Sequence, residues 1–208
     1  MLQIILSSIL LSVIHASIPN HWLPLIMIAK AEKWKQSQTL LATAICGFAH
    51  IASTILIGIL VGWAGYELSS NYQWVSAYAA PAILIGLGII YIFLNILRHE
   101  HWHHHHVHSS SAGRTMVYII TSLSIGMFFS PCIELEAYYF TAGSYGWTGI
   151  LAVSIIYLTI TVSAMLLLVY LGLKGIQKLN LHFLEHYEKA TLGAILIITG
   201  ILAWIINI

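Results

Sequence analysis

Eight polar side chains stand inside runs of otherwise apolar sequence: His15, Asn20 and His21, then Cys46 and His50, then Cys132, Glu134 and Glu136. Imidazole and thiolate are ligands for nickel, cobalt, zinc and copper, while carboxylates widen the choice toward iron and manganese, so these residues form a candidate metal set without naming the ion. One histidine in a membrane helix often does no more than bond a neighbouring helix, for about 1 kcal/mol. Three in the first two apolar stretches, two of them straddling Pro19, favour ligation or proton relay instead. Glu134 and Glu136 would point about 200° apart on a regular helix, so only one can face a shared site, and Glu134 is nearer the break at Pro131. Cys46 reads equally as a small buried hydrophobe, whereas Cys132 gains from following Pro131 directly.

The elements that must position these groups are membrane helices. Of 208 residues, 59% are apolar and 7% charged, against about 25% charged in an ordinary soluble domain. Mean hydropathy is +0.88. The apolar stretches cover approximately residues 2–28, 39–63, 77–97, 115–143, 148–172 and 190–207, each near the ~20 residues that span a bilayer as a helix. The first lacks a basic leader and a small-residue cleavage site, so it reads as a retained helix and not a signal peptide. The expectation is an all-α, polytopic, six-span single domain over residues 1–208, with loops too short for a separate soluble unit.

All eight basic residues fall after spans one, three and five: Lys30, Lys33 and Lys35; Arg98 and Arg114; Lys174, Lys178 and Lys189. The positive-inside rule then puts those loops in the cytoplasm and both termini outside. Aromatic residues around the other two loops, Trp63, Tyr66, Tyr72 and Trp74, then Tyr145 and Trp147, suit interfacial belts. Residues 98–114 divide the chain into two three-span halves, about 1–97 and 115–208, and an odd number of spans makes the repeats inverted. Each half has a proline break in its first span, at Pro19 and at Pro131, where a missing backbone donor opens carbonyls near the midplane.

The segment H-A-S-I-P-N-H, His15 to His21, resembles the H-x-x-x-x-D-H signature of the nickel/cobalt permease family and its efflux and urease-accessory-like relatives. Gly47 to Thr54, G-F-A-H-I-A-S-T, is similar to the Gly-His-Ser/Thr segment of their following helix, and I-G-M-F-F-S-P-C-I-E resembles the glycine, proline and cysteine signature of the efflux branch. The resemblance covers motifs in three spans and implies a metal site from His15, Asn20, His21, His50, Cys132 and Glu134. Asn20 departs from it, an amide where the family pattern has aspartate, able to ligate through its carbonyl but bringing no negative charge.

Between the halves lie His99, His101, His103, His104, His105, His106 and His108, a metal-binding composition in a loop. H-F-L-E-H, His182 to His186, fits an inverted zinc-peptidase pattern with Glu185 as base, but without a third ligand it reads as an amphipathic connector. Neither a nucleotide-binding motif nor a tightly bound cofactor is expected, and the chain does not read as an enzyme or a nucleic-acid binder. The expected function is secondary, proton-coupled transport of a divalent transition-metal ion, nickel- or cobalt-like with zinc, iron and manganese open, in a bacterial-type inner membrane. Its expected partners are that ion and the lipid bilayer. The alternative is a thiol-disulfide electron transporter of the cytochrome-biogenesis type, using Cys46 and Cys132.

Overall fold

The computed structural model describes residues 2–72, 74–97, 115–174 and 188–207. Every regular element among them is helical. The order is α1 (Leu2–Ser17), α2 (Pro19–Ala31), α3 (Gln36–Asn71), a π-helical turn (Val75–Ala79), α4 (Ala80–Leu97), α5 (Met116–Phe128), α6 (Ile133–Gly143), α7 (Gly146–Leu173) and α8 (Glu188–Asn207). The His-rich loop and the H-F-L-E-H segment lie outside the described residues.

Four stretches are long and apolar enough to cross a membrane: Leu2–Ala31, Gln36–Asn71, Ala77–Leu94 and Gly146–Leu173. The pair α5 and α6, bent by 50° at its break, makes a fifth if taken as one span. Helix α8 carries a shorter apolar stretch, Leu192–Ile205. Side-chain placement fits a lipid solvent. Leu6, Phe48, Leu60, Phe93 and Ile155 point outward, while His15, Ser12, His50, Thr54, Glu134 and Thr161 are buried. Polar groups inside and large apolar groups outside is the arrangement a bilayer tolerates and water does not.

Pro19 and Pro131 both end up where a proline costs a helix least. Pro19 starts α2, with Ile18 as its N-cap, a position whose N–H would be unpaired anyway. The Ser17 carbonyl exposed by this break accepts from the Trp22 indole at 3.3 Å. At the second break α5 ends on Phe128, and Cys132, just after Pro131, is the N-cap of α6. Glu134 and Glu136 fall in the first turn of α6, where the positive end of the helix dipole favours acidic side chains.

Small residues let the backbones close up. On α3, Gly58, Gly62 and Gly65 recur at helical spacing and face α6, so a methyl group at Gly58 would enter the Tyr139 ring and one at Gly65 the Phe140 carbonyl. A methyl group at Gly143 would meet the backbone of Gly62 and Tyr66. Helices α4 and α8 meet in the same way, with Gly88 against the Gly193 carbonyl and Gly193 against the Gly88 carbonyl. Between apolar helices in lipid, van der Waals contact of this kind replaces the hydrophobic drive. Hydroxyls on the buried faces mostly bond back to their own helix, Thr43 to the Thr39 carbonyl at 2.8 Å, Thr54 to that of His50 at 3.2 Å and Ser154 to that of Ile150 at 2.9 Å, which makes a polar face affordable between helices.

Candidate metal centre

Two helices and one helix break bring the three central side chains together. His15 comes from the last turn of α1, His50 from the middle of α3 and Cys132 from the N-cap of α6. The Cys132 Sγ lies 3.1 Å from His15 Nε2 and 3.1 Å from His50 Nε2. All three donor atoms are within 4.8 Å of one another, and all three residues are buried. They are the group among the described residues with the spacing of a metal site.

The far side of each imidazole decides what the near side offers. His15 Nδ1 lies 2.9 Å from Glu134 Oε1, an approach off the N–H axis, so it is an electrostatic contact more than an aligned hydrogen bond. His50 Nδ1 faces the Met127 carbonyl at 3.2 Å. With the proton on each Nδ1, the nitrogen that faces an acceptor, both Nε2 atoms present lone pairs to Cys132. A thiol has one hydrogen and satisfies only one of them. In that tautomer two imidazole lone pairs and one sulfur converge, a donor set that could hold a metal ion.

Glu134 does not join this trio directly. Its second oxygen accepts from the Tyr91 hydroxyl at 3.0 Å, so its carboxylate is spent on His15 and Tyr91. A carboxylate behind a ligating imidazole fixes the tautomer and raises donor strength. Glu134→Gln is expected to weaken metal binding by up to about 100-fold and Tyr91→Phe by about tenfold, read by metal titration of the purified protein.

His21 sits in the first turn of α2 with its ring centroid 4.5 Å from that of His15 and 4.9 Å from that of His50. It roofs the pair without belonging to the converging trio. Asn20 occupies the same turn, and its side chain falls outside what is described. Both oxygens of Glu136 are buried without a hydrogen-bond partner. Cys46 is one turn along α3 from His50 and contacts the Ser124 hydroxyl at 3.4 Å and the Ile120 carbonyl at 3.9 Å. Both cysteines are free thiols.

Comparisons with protein-family models, curated proteins and solved structures give no match to this chain. The centre therefore stands on its own geometry. Two of its residues escape a reading of motifs. Tyr91 on α4 supports Glu134, and Tyr157 on α7 sets its ring 6.0 Å from His15 and its hydroxyl 3.8 Å from Cys132 Sγ. The available signal was a phenol inside an apolar run, since a buried tyrosine hydroxyl needs a partner.

Proposed function

We propose that this chain is a secondary transporter for a transition-metal ion, which binds between His15, His50 and Cys132 on its way across the membrane. One observation carries the reading: two buried imidazoles turn Nε2 toward one buried sulfur, 3.1 Å from each, while each Nδ1 faces an oxygen. An ion replaces the thiol proton and satisfies all three donors at once. Glu134 holds His15 in the ligating tautomer, and the two prolines keep the helix ends at the centre. The motif likeness to nickel/cobalt permeases supports the same class.

The proposed architecture is six spans in two inverted halves, both termini outside a bacterial-type inner membrane and the His-rich loop in the cytoplasm. Packing supports the inversion. Exchanging α1 and α2 with α5 and α6, α3 with α7 and α4 with α8 turns the α1–α7 contact into α5–α3, and α2–α3 into α6–α7. The α3–α7 and α4–α8 contacts map onto themselves. Inverted repeats with broken helices at their interface suit alternating access around a central site. The lysines and arginines flanking alternate loops support the orientation.

Proton coupling follows from the ligands, since binding requires a thiolate and neutral imidazoles and so releases protons. Acid competes with the ion, so apparent affinity should fall as pH falls. The test is ion uptake into proteoliposomes, screening nickel, cobalt, zinc, manganese, iron and copper, with an internal pH dye recording opposite proton movement. No flux of any of these ions above protein-free vesicles would refute transport.

A further inference from the structure

Helix α1 carries four serines that behave in two ways. Ser7 and Ser17 return their hydroxyls to the carbonyls of Gln3 and Val13, four residues back, at 2.6 and 2.7 Å, the usual way to seat a serine in an apolar helix. Ser8 and Ser12 do not: they are 1% and 0% exposed, and neither Oγ has a hydrogen-bond partner. At about 100° per residue both lie within about 60° of His15 around α1, on the face that reaches the metal centre. An orphaned buried hydroxyl costs free energy that a state supplying a partner would recover.

The second half of the chain shows the same face in another setting. Aligning the breaks at Pro19 and Pro131 pairs Ile4 with Met116, Ser8 with Ile120, Ser12 with Ser124 and Ala16 with Phe128. On α1 all four are buried. On α5 all four line an open groove of about 590 Å³ against α3, and no described residue of α5 is buried. Packing differs accordingly. Helix α1 lies on α7 and also on α8, whereas α5 lies on α3 with no comparable contact to α4 among the described residues. Two equivalent half-helices therefore hold unequal positions, α1 seated in the bundle and α5 standing off it.

We infer that the Ser8–Ser12 face of α1 lines the entry to the metal centre from the end of the bundle that carries the N-terminus, shut in this structure, and that it opens to water as α5 closes onto α4. This rests on the transport reading and its inverted repeats. Exchanging the two halves gives the second state directly: α5 takes the seated position of α1, and α1 stands off as α5 does here. Water or a hydrated ion then supplies the partners that Ser8 and Ser12 lack, one helical turn apart on the way to His15. Ser124 marks the equivalent place in the other half, its hydroxyl 3.4 Å from Cys46 Sγ beside the open groove.

The test measures both positions in the full chain in lipid nanodiscs. Ketone-bearing residues replace Leu6 and Ile205 in one sample and Phe93 and Val117 in another, all exposed positions, and carry oxime-linked nitroxides that leave the native thiols free. Pulsed electron–electron resonance then reports the α1–α8 distance in the first and the α4–α5 distance in the second, without metal and with nickel or zinc. Two populations are expected at each pair, and a condition that lengthens α1–α8 should shorten α4–α5. Ser8→Ala/Ser12→Ala removes the hydroxyls that favour the second state, so that population should fall about tenfold or more. Uptake should slow with it while thermal stability is not reduced, which separates an entry role from a packing role. One unchanging distance at each pair, both pairs widening together, or populations indifferent to the serine variant overturns the inference. If that happens while uptake of any ion depends on His15, the inference fails and the transport reading stands. If no ion shows His15-dependent binding or uptake, both fail.

Discussion

Cys132→Ser is expected to reduce metal uptake into proteoliposomes to the level of protein-free vesicles while leaving the protein folded. Serine nearly matches cysteine in size, so its buried position on the α6 N-cap is filled, and stability should change by no more than about 1 kcal/mol. What changes is the donor. A hydroxyl does not become an anion under conditions where a thiol does, and it is a hard ligand where the centre is soft. The loss should exceed the ~10–100-fold typical of a supporting residue such as Glu134. His15→Ala removes a donor too but differs in a second readout. It strands the Glu134 carboxylate, now facing Tyr91 alone, and leaving a buried group without its partner costs about 1–3 kcal/mol, more when the group is charged. Flux lost in both variants, with thermal stability lost only in His15→Ala, identifies ligation. Full uptake by Cys132→Ser would take the thiol out of the transport mechanism.

The second large effect concerns the crossing of α3 and α6. Gly143→Ala would put a methyl group against the backbone of Gly62 and Tyr66, and main chain in the middle of a helix has no rotamer to change. Overpacking typically costs about 1–3 kcal/mol, and more when the neighbours cannot shift, so loss of monodisperse protein in detergent is expected. Gly126→Ala on α5 is the matched control. Nothing lies within 4 Å of a Cβ there, and replacing a helical glycine by alanine gains about 0.5–1 kcal/mol. Thermal unfolding of the two variants should therefore move in opposite directions. Equal behaviour would mean that the α3–α6 contact does not determine stability.

Much of this was legible in the sequence because it depends on local chemistry. The apolar stretches at 2–28 and 148–172 fall close to Leu2–Ala31 and Gly146–Leu173, since lipid thickness fixes how long an apolar run must be. Pro19 and Pro131 marked the two breaks because a proline's missing donor is a property of one residue. The stretch at 39–63 underestimated α3, which runs from Gln36 to Asn71. Helical hydrogen bonding continues through Glu67, Ser69 and Ser70, where hydropathy has already stopped being informative. At the centre, His15, His50 and Cys132 were singled out by residue type, and the fold brings them together. The task of Glu134, the roofing position of His21 and the supports from Tyr91 and Tyr157 were not legible. Each of those depends on which helices become neighbours, information that spacing along one helix does not contain. Glu134 and Glu136 show the intermediate case. Their divergence followed from helix geometry and nearness to Pro131 favoured Glu134, but that its partner would be His15 was decided by α1.

Helix α5 has no buried residue among those described. Its polar attachments to α3 include the contacts of Cys46 with Ser124 and Ile120, and that of His50 with the Met127 carbonyl. The same hydrogen bond that aims His50 at the centre thus tethers the end of a lightly held half-helix. Binding equilibria linked through one bond are reciprocal. On the proposed reading, whatever pulls α5 away should weaken the grip of His50 on the ion, and an ion that draws on His50 should tighten the tether in return. Occupancy and the position of α5 would then be two readings of one free-energy difference, and the loaded protein is expected to hold this half-helix more firmly than the empty one.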